Sequence, residues 1–362
     1  MKRGTGRGRL RRALAGLMAA GGLVLAVGSA GLPPLPDWPA AAWGTSTNPA
    51  EGEGPVPFLQ RLLLGESALL AQWAAAAGET PAAPTEAEPE PELEAVTPDK
   101  IQEKTLAGSG TDHVSGRGIS LFNRTGKTVD LNAVAQAGSS LTFQPAAAGP
   151  QVLIMHTHST ESYARQGDEP YTETGVARTT DPAYNIIRVG EEIARIFGEM
   201  GLQVIHDRTL YDYPSYNDAY SNARAGVEAQ LAQHPTIQMV LDVHRDALVG
   251  SDGTIYKPVL QIDGVKTAQV MLLVGTDDAG AYFPDWTEHL ALAMEIQQQM
   301  NSLWPGLARP IALRTARFNQ QLTKGSLLVE VGSHGNTLEE ALAGARLFAR
   351  SAAKVLLERT AG

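Results

Sequence analysis

Three short segments gather the side chains that could do chemistry. HTHSTESY (156–163) follows the apolar run VLIM, DVHRD (242–246) ends the run MVLDV, and Glu330 interrupts LLVEVG (327–332). Two imidazoles and one carboxylate on a single ion make a zinc site with a fourth position open to water. His158 and Glu161 stand three residues apart, so in a turn leaving a strand both can point at one ion. His244, from another strand, would complete the set. His156 could take the place of His158, but only His158 has a glutamate three residues on; His156 would then orient or line the site. Two neutral imidazoles and one carboxylate leave the ion net positive, which lowers the pKa of its bound water toward ~7. A second carboxylate, not a ligand, must then take the proton from that water and pass it to a leaving amine. Glu330 suits this role, because it lies in an otherwise apolar run where desolvation raises a carboxyl pKa.

Each piece alone has an ordinary explanation. A His-x-x-Glu pair arises by chance, a lone His244 is more often a hydrogen-bonded core residue, and Glu330 could pair with an arginine. Four such residues at the ends of apolar strands of one domain point to catalysis, since open α/β sheets place their sites there. A zinc-bound histidine usually donates its other N–H to a neighbouring acceptor. For His244 that support comes either from an Arg245–Asp246 ion pair or from Asp242. Arg245 or Asn319 would stabilise the oxyanion of the reaction. Asn319 and Gln320, in RFNQ (317–320), either contact a polar substrate or belong to ordinary surface structure. His334 lines the cleft or is a solvated loop residue.

These residues need a frame. Strands are expected over 119–125, 151–156, 202–206, 239–244, 260–263, 269–275 and 326–332. Helices are expected over 131–136, 184–200, 216–233 and 286–303, from apolar residues recurring at helical spacing. Gly201 should stop the second of these, and Thr337 with Glu340 forms a capping box opening a last helix to about residue 357. Near-continuous apolar strands alternating with amphipathic helices imply a mixed sheet covered on both faces, a three-layer α/β/α fold.

The chain has 362 residues, 43% of them apolar, a formal net charge of −10 and no cysteine. Thiolate ligands and disulfides are thereby excluded, and an acidic chain argues against nucleic acid as a partner. Residues 1–12 carry Lys2, Arg3, Arg7, Arg9, Arg11 and Arg12, and 13–32 are apolar except for Ser29. A helix of ~20 such residues spans a hydrocarbon core of ~30 Å. The basic flank would stay in the cytoplasm, leaving the rest outside. This segment is either a retained single-pass anchor or a cleaved signal peptide. Residues 33–104 read as a Pro/Ala/Glu-rich linker with a short helical pattern over 58–77, unable to bury enough apolar surface to order itself. Residues 105–150 read as a short β-containing lead-in, and 151–362 as the catalytic domain.

VLIMHTHSTESY (152–163), Asn185, VLDVHRDA (240–247), RFNQ (317–320) and LLVEVGSHGNTLEEA (327–341) together resemble the stage II sporulation protein P family. The resemblance covers about 119–360. It implies a membrane-anchored, zinc-dependent N-acetylmuramoyl-L-alanine amidase, with endopeptidase activity as well, that acts on peptidoglycan during sporulation engulfment. It also implies partnership with stage II sporulation proteins D and M. More widely, zinc amidases of bacterial cell walls place a His after their first strand, a His at a strand end and a Glu in a V-E-x-G strand. His158, His244 and Glu330 fall on those positions. The departure is the third ligand: the amidases open the following helix with a Glu, where this chain has Asp181 to Asn185 and none, so Glu161 is the substitute. A different class, a non-catalytic wall-binding scaffold for a partner hydrolase, would have no need of an acid at Glu330.

Overall fold

The apolar runs assemble into one eight-stranded mixed sheet. The structure is a computed structural model and describes residues 101–164 and 177–360. These fall within a compact unit spanning Ala82–Gly362. The basic flank, the apolar segment and the helical pattern over 58–77 lie outside the described residues. Among the described residues no helix is long and apolar enough to cross a membrane.

The strands are β1 (Ile101–Lys104), β2 (His113–Gly116), β3 (Ile119–Asn123), β4 (Val152–Met155), β5 (Val204–His206), β6 (Met239–Asp246), β7 (Ile255–Ile262), β8 (Val265–Ala268), β9 (Val270–Gly275), β10 (Ile311–Arg314) and β11 (Leu327–Ser333). The helices are α1 (Leu131–Ala137), α2 (Ile186–Met200), α3 (Ala219–Gln233), α4 (Trp286–Leu303) and α5 (Leu338–Leu357). The large sheet runs β2-β3-β10-β9-β11-β6-β4-β5, and β1-β7-β8 form a small second sheet. Within the large sheet β4, β6 and β11 are adjacent and parallel. Their carboxyl ends therefore open at one edge, which is what brings the three chemical segments together. The antiparallel pair β9 and β11 makes the sheet mixed.

Alternation along each strand sorts its side chains between two faces. Val152, Ile154, Leu241, Val243, Val329 and Val331 pack with residues of α2, α4 and α5, among them Ile193, Leu290 and Phe348. Leu153, Met155 and Val240 pack on the opposite face with Ala223 and Val227 of α3. Helices thus cover both faces, as the α/β/α reading expects. The helix ends follow their sequence signals. Asn185 caps α2 by accepting from Ile187 N, Gly201 ends it in the left-handed region, and the Thr337–Glu340 capping box opens α5.

Four strands depart from the sequence reading. β1 lies in the stretch read as linker, because its charged residues gain order only by pairing parallel with β7. β2 and β10 carry no periodic signal of their own and are held by β3. β8 pairs with β7 through the Asp263–Gly264 turn, and both turn residues take positive φ.

One glycine is set by close approach. A Cβ on Gly190 in α2 would stand 2.5 Å from His156 Nε2 and 2.7 Å from His206 Nε2. Gly190→Ala should destabilise the protein by about 1–2 kcal/mol, the ~1–3 kcal/mol of overpacking outweighing up to ~1 kcal/mol of helix propensity. Urea unfolding measures it, and equal or greater stability would contradict the packing described.

Candidate metal and catalytic centre

The turn after β4 carries His158 and Glu161. Its shape is held by Glu161 N donating to His158 O and Ile186 N donating to Glu161 O. Glu161 has no exposed surface, and its Oε2 accepts from Arg245 N at 3.0 Å. Register places His244 of β6 beside Glu330 of β11, both on the face that carries Asp242. His244 Nδ1 lies 3.5 Å from Glu161 Oε2, and His244 Nε2 lies 2.8 Å from Asp242 Oδ1. The His158 and His244 rings meet edge to face, centroids 5.5 Å apart. His158, Glu161, His244 and Glu330 therefore do gather at the carboxyl ends of β4, β6 and β11.

The site's electrostatics follow from burial. Desolvation pushes His158 down to about 3, so its imidazole is neutral at ordinary pH. Burial alone would push His244 down as well, but Asp242 and Glu161 outweigh it and hold this imidazole well above the ordinary histidine range. Burial opposes ionisation of Asp242, yet His244 and the bonds from Thr157 hold its pKa low; Thr157 N and Oγ1 donate to it at 2.8 and 2.6 Å. Glu161 is likewise held low, against burial, by Arg245 and His244. Tyr220 is pushed well above its ordinary value by burial, then by Asp242, Glu330 and Glu161, so its hydroxyl keeps its proton beside three carboxylates.

Donor chemistry fits a zinc-type ion. His158 Nδ1 and Glu161 Oε1 are buried without a hydrogen-bond partner among the described residues. The Nδ1 edge of His244 faces Glu161, and its Nε2 edge faces Asp242. Among the described residues, however, no three His, Asp or Glu side chains stand already arranged around one point.

Other expected site residues are placed elsewhere, for a common reason. Arg245 follows His244, so alternation turns its side chain to the other face, where it is fully buried. It donates to the carbonyls of Ser162 and Ala177 and stands 3.8 Å from Glu161 Oε1, so it braces the turn that carries Glu161 from the face opposite His244. An Arg245–Asp246 pair is also not formed; Asp246 pairs with Arg309 at 2.7 Å, and Asp242 is the group beside His244. His156 falls on the α2 face by the same parity. Its Nδ1–H donates to Val243 O, and its Nε2, neutral because burial lowers the pKa to about 4, accepts from His206 Nε2–H. Gln320 is buried, accepting from Gly275 N and donating to Leu273 O, and Asn319 donates to Tyr220 O. Both hold the loop, in which Phe318 and Asn319 take positive φ. His334 is completely buried near Arg245 and Asp246, away from solvent.

Sequence reasoning misses four residues around His158: Tyr216 and Tyr220 contact its ring, Arg178 lies over Tyr216, and Asp212 bonds the adjoining Ser159 and Thr160. Asp212 sits in a loop 52 residues from Thr160, to which it bonds, so no local spacing could reveal it. Tyr216, in the turn before α3, and Tyr220, in its first turn, stand four apart, an aromatic pair that is the one available signal.

An α/β protein with a buried histidine–carboxylate cluster at the ends of three parallel strands is the class this geometry defines. The chain belongs to the stage II sporulation protein P family, whose family model matches residues 67–353. Stage II sporulation protein P of Bacillus subtilis (strain 168) is 28% identical over 202 residues, covering 52% of this chain and 47% of that protein. The chain thus matches about half the length of that relative. Among solved structures, the amidase Ami1 of Mycobacterium smegmatis is 13% identical with a TM-score of 0.34, covering 58% of this chain and 98% of that one. The D,L-carboxypeptidase Csd4 of Helicobacter pylori is 15% identical with a TM-score of 0.32, covering 60% and 54%. Overlaps at these scores carry no weight for mechanism.

The His244–Asp242 contact sets a pH dependence. A histidine whose folded pKa is raised contributes stability that is full below ~6.5 and lost as pH rises through the folded value. Histidines that burial lowers, such as His158, act only below that window. In chelator-treated protein, stability should fall from pH 6.5 upward. Asp242→Asn should flatten that fall and cost about 3 kcal/mol at pH 6.5, as for one partner removed from a buried pair. Urea unfolding across pH 6 to 10 reads both, and an unchanged slope would refute the assignment.

Proposed function

We propose that this protein is a zinc-dependent peptidoglycan hydrolase, an N-acetylmuramoyl-L-alanine amidase with endopeptidase activity, that remodels the cell wall during sporulation engulfment. The observation that carries the reading is the meeting of His158, Glu161 and His244 with Glu330 across β4, β6 and β11, in a member of this family. His158, Glu161 and His244 would hold the metal, which when bound polarises the scissile carbonyl and acidifies water.

The chain's own groups supply the rest. His158 offers a neutral nitrogen because burial keeps the proton off. Asp242 faces one edge of His244 and so fixes which edge turns toward Glu161. Glu330 is the general base for the attacking water, and returns the proton to the departing amine. Tyr220, protonated beside the carboxylates, donates to negative charge developing in the cleft. Exclusion of water by the surrounding core strengthens each of these interactions.

The N-terminal segment would tether the domain outside the membrane, through the linker. Confinement to nearby wall raises its effective concentration there. Stage II sporulation proteins D and M are the partners that membership of this family implies.

The test is release of soluble fragments from purified peptidoglycan by the full chain, with mass spectrometry of the products. Wild-type and zinc-restored protein should release free stem peptides and leave sugar chains intact. Chelator-treated protein should be inactive, and Glu330→Gln should fall by about 10²–10⁴-fold, the range for a lost general base, while still binding zinc. If wild type binds peptidoglycan but releases nothing, even with stage II sporulation protein D present, the hydrolase reading fails and a wall-binding scaffold replaces it.

A further inference from the structure

His158 and His244 are held by different means. His244 has a carboxylate beside its ring, Asp242 Oδ1 at 2.8 Å from Nε2. His158 has no such support at Nδ1, which is buried without a hydrogen-bond partner among the described residues. Its ring is instead enclosed by aromatic surfaces. Tyr216 stacks on it with centroids 4.4 Å apart and planes 15° from parallel, and Tyr220 meets it edge-on at 5.5 Å and 85°.

The stack continues outward. The Arg178 guanidinium lies over the other part of this assembly, 4.5 Å from the Tyr216 ring centroid. A cation over a tyrosine face is attracted by the ring quadrupole, more so when partly desolvated. Arg178 is in turn fixed by Asp212 Oδ2 at 3.0 Å. Asp212 is buried and also grips the metal turn itself, accepting from Ser159 Oγ, Thr160 N and Thr160 Oγ1 at 3.0, 3.1 and 2.6 Å. One carboxylate therefore ties together the backbone beneath His158 and the cation that presses on the ring above it.

We propose that Tyr216 is a positioning residue, clamped by Arg178 and Asp212, that sets the orientation of the His158 imidazole by stacking. Its purpose rests on the metal-hydrolase reading of the site, but the orientation itself does not. A ring whose Nδ1 has no hydrogen-bond partner can rotate about its side-chain torsions unless its faces are packed. Stacking fixes the ring through its face and places no donor on Nδ1, which stays available. Tyr216→Phe keeps the aromatic face and Tyr216→Ala removes it, which separates stacking from the hydroxyl. Arg178→Met removes the cation.

Two readouts on the full chain test this. Zinc affinity is measured by competition with a chromogenic chelator. Separately, in zinc-free protein with labelled histidines, the His158 ring signal, assigned by its loss in His158→Gln, reports the ring-current shift of a stacked neighbour. Tyr216→Ala should lose that shift and weaken zinc by about 10–100-fold, the range for lost outer support of a ligand. Tyr216→Phe should match wild type in both, and Arg178→Met should move both part of the way. The proposal is overturned if Tyr216→Ala keeps the shift and the affinity, or if Tyr216→Phe loses as much as Tyr216→Ala. If wild type takes up no zinc, the metal reading falls, and the ring shift alone decides the positioning claim. Circular dichroism confirms folding of each variant. Were Tyr216→Ala to unfold, Tyr216→Phe and Arg178→Met would decide.

Discussion

A carboxylate without solvent, Glu161, is the demand around which the centre is organised. Ionised in an apolar interior it would cost several kcal/mol uncompensated. Its compensation comes from one strand, through Arg245 N, the Arg245 guanidinium and the His244 ring. Arg245 can lie fully buried only because the carbonyls of Ser162 and Ala177 accept from it. Those carbonyls belong to the turn that carries Glu161 and to the segment returning beside it, which also pair as short bridges, Glu161 with Arg178 and Ser162 with Asn185. The charge, its counter-charge and the backbone that holds both thus stand or fall together.

A second balance lies on the face that carries Asp242 and His244. Asp242, His244 and Glu161 lie close together, with Glu330 beside His244 in register, and the first three set one another's protonation. Asp242 and Glu161 keep His244 charged where burial would neutralise it. His158 has the Glu161 charge nearby as well, but desolvation wins there and it stays neutral. The two histidines of one site are therefore in opposite states for reasons of distance: His244 touches two carboxylates, while His158 is walled by tyrosine rings. A divalent ion in their midst would replace the proton that His244 holds, in keeping with ligands that bind metal only when deprotonated.

The loop before β11 shows how rigidity is supplied at a distance. Phe318 and Asn319 both take positive φ, which costs free energy for residues with a Cβ. Gln320 repays that with two bonds to the backbone of β9, and Asn319 with one to Tyr220 O. The result aims Phe318 at Tyr220, ring centroids 5.9 Å apart, and closes one side of the cleft.

The sequence marks by local signals most of the sheet's buried strands, β10 excepted, together with the capped helices, the two-faced α/β arrangement and the segments that carry His158, Glu161, His244 and Glu330. Those features are local: apolar runs, helical spacing, an Asn or Thr at a helix start, a His-x-x-Glu in a turn. It also held the parity that separates His244 from Arg245 and Met155 from His156, since neighbours along a strand face opposite ways. That rule removes Arg245 and His156 from the face that carries Asp242 and His244 once the strands are known to be covered on both sides. Tertiary structure alone decided what no spacing encodes. It paired the charged β1 with β7, sent Asp246 to Arg309, turned Gln320 and His334 inward, stacked Tyr216 on His158, and brought Arg178 onto Tyr216 and Asp212 onto Thr160. The physical reason is that a buried polar group must find its partner wherever the fold supplies one, and chain distance does not enter that requirement.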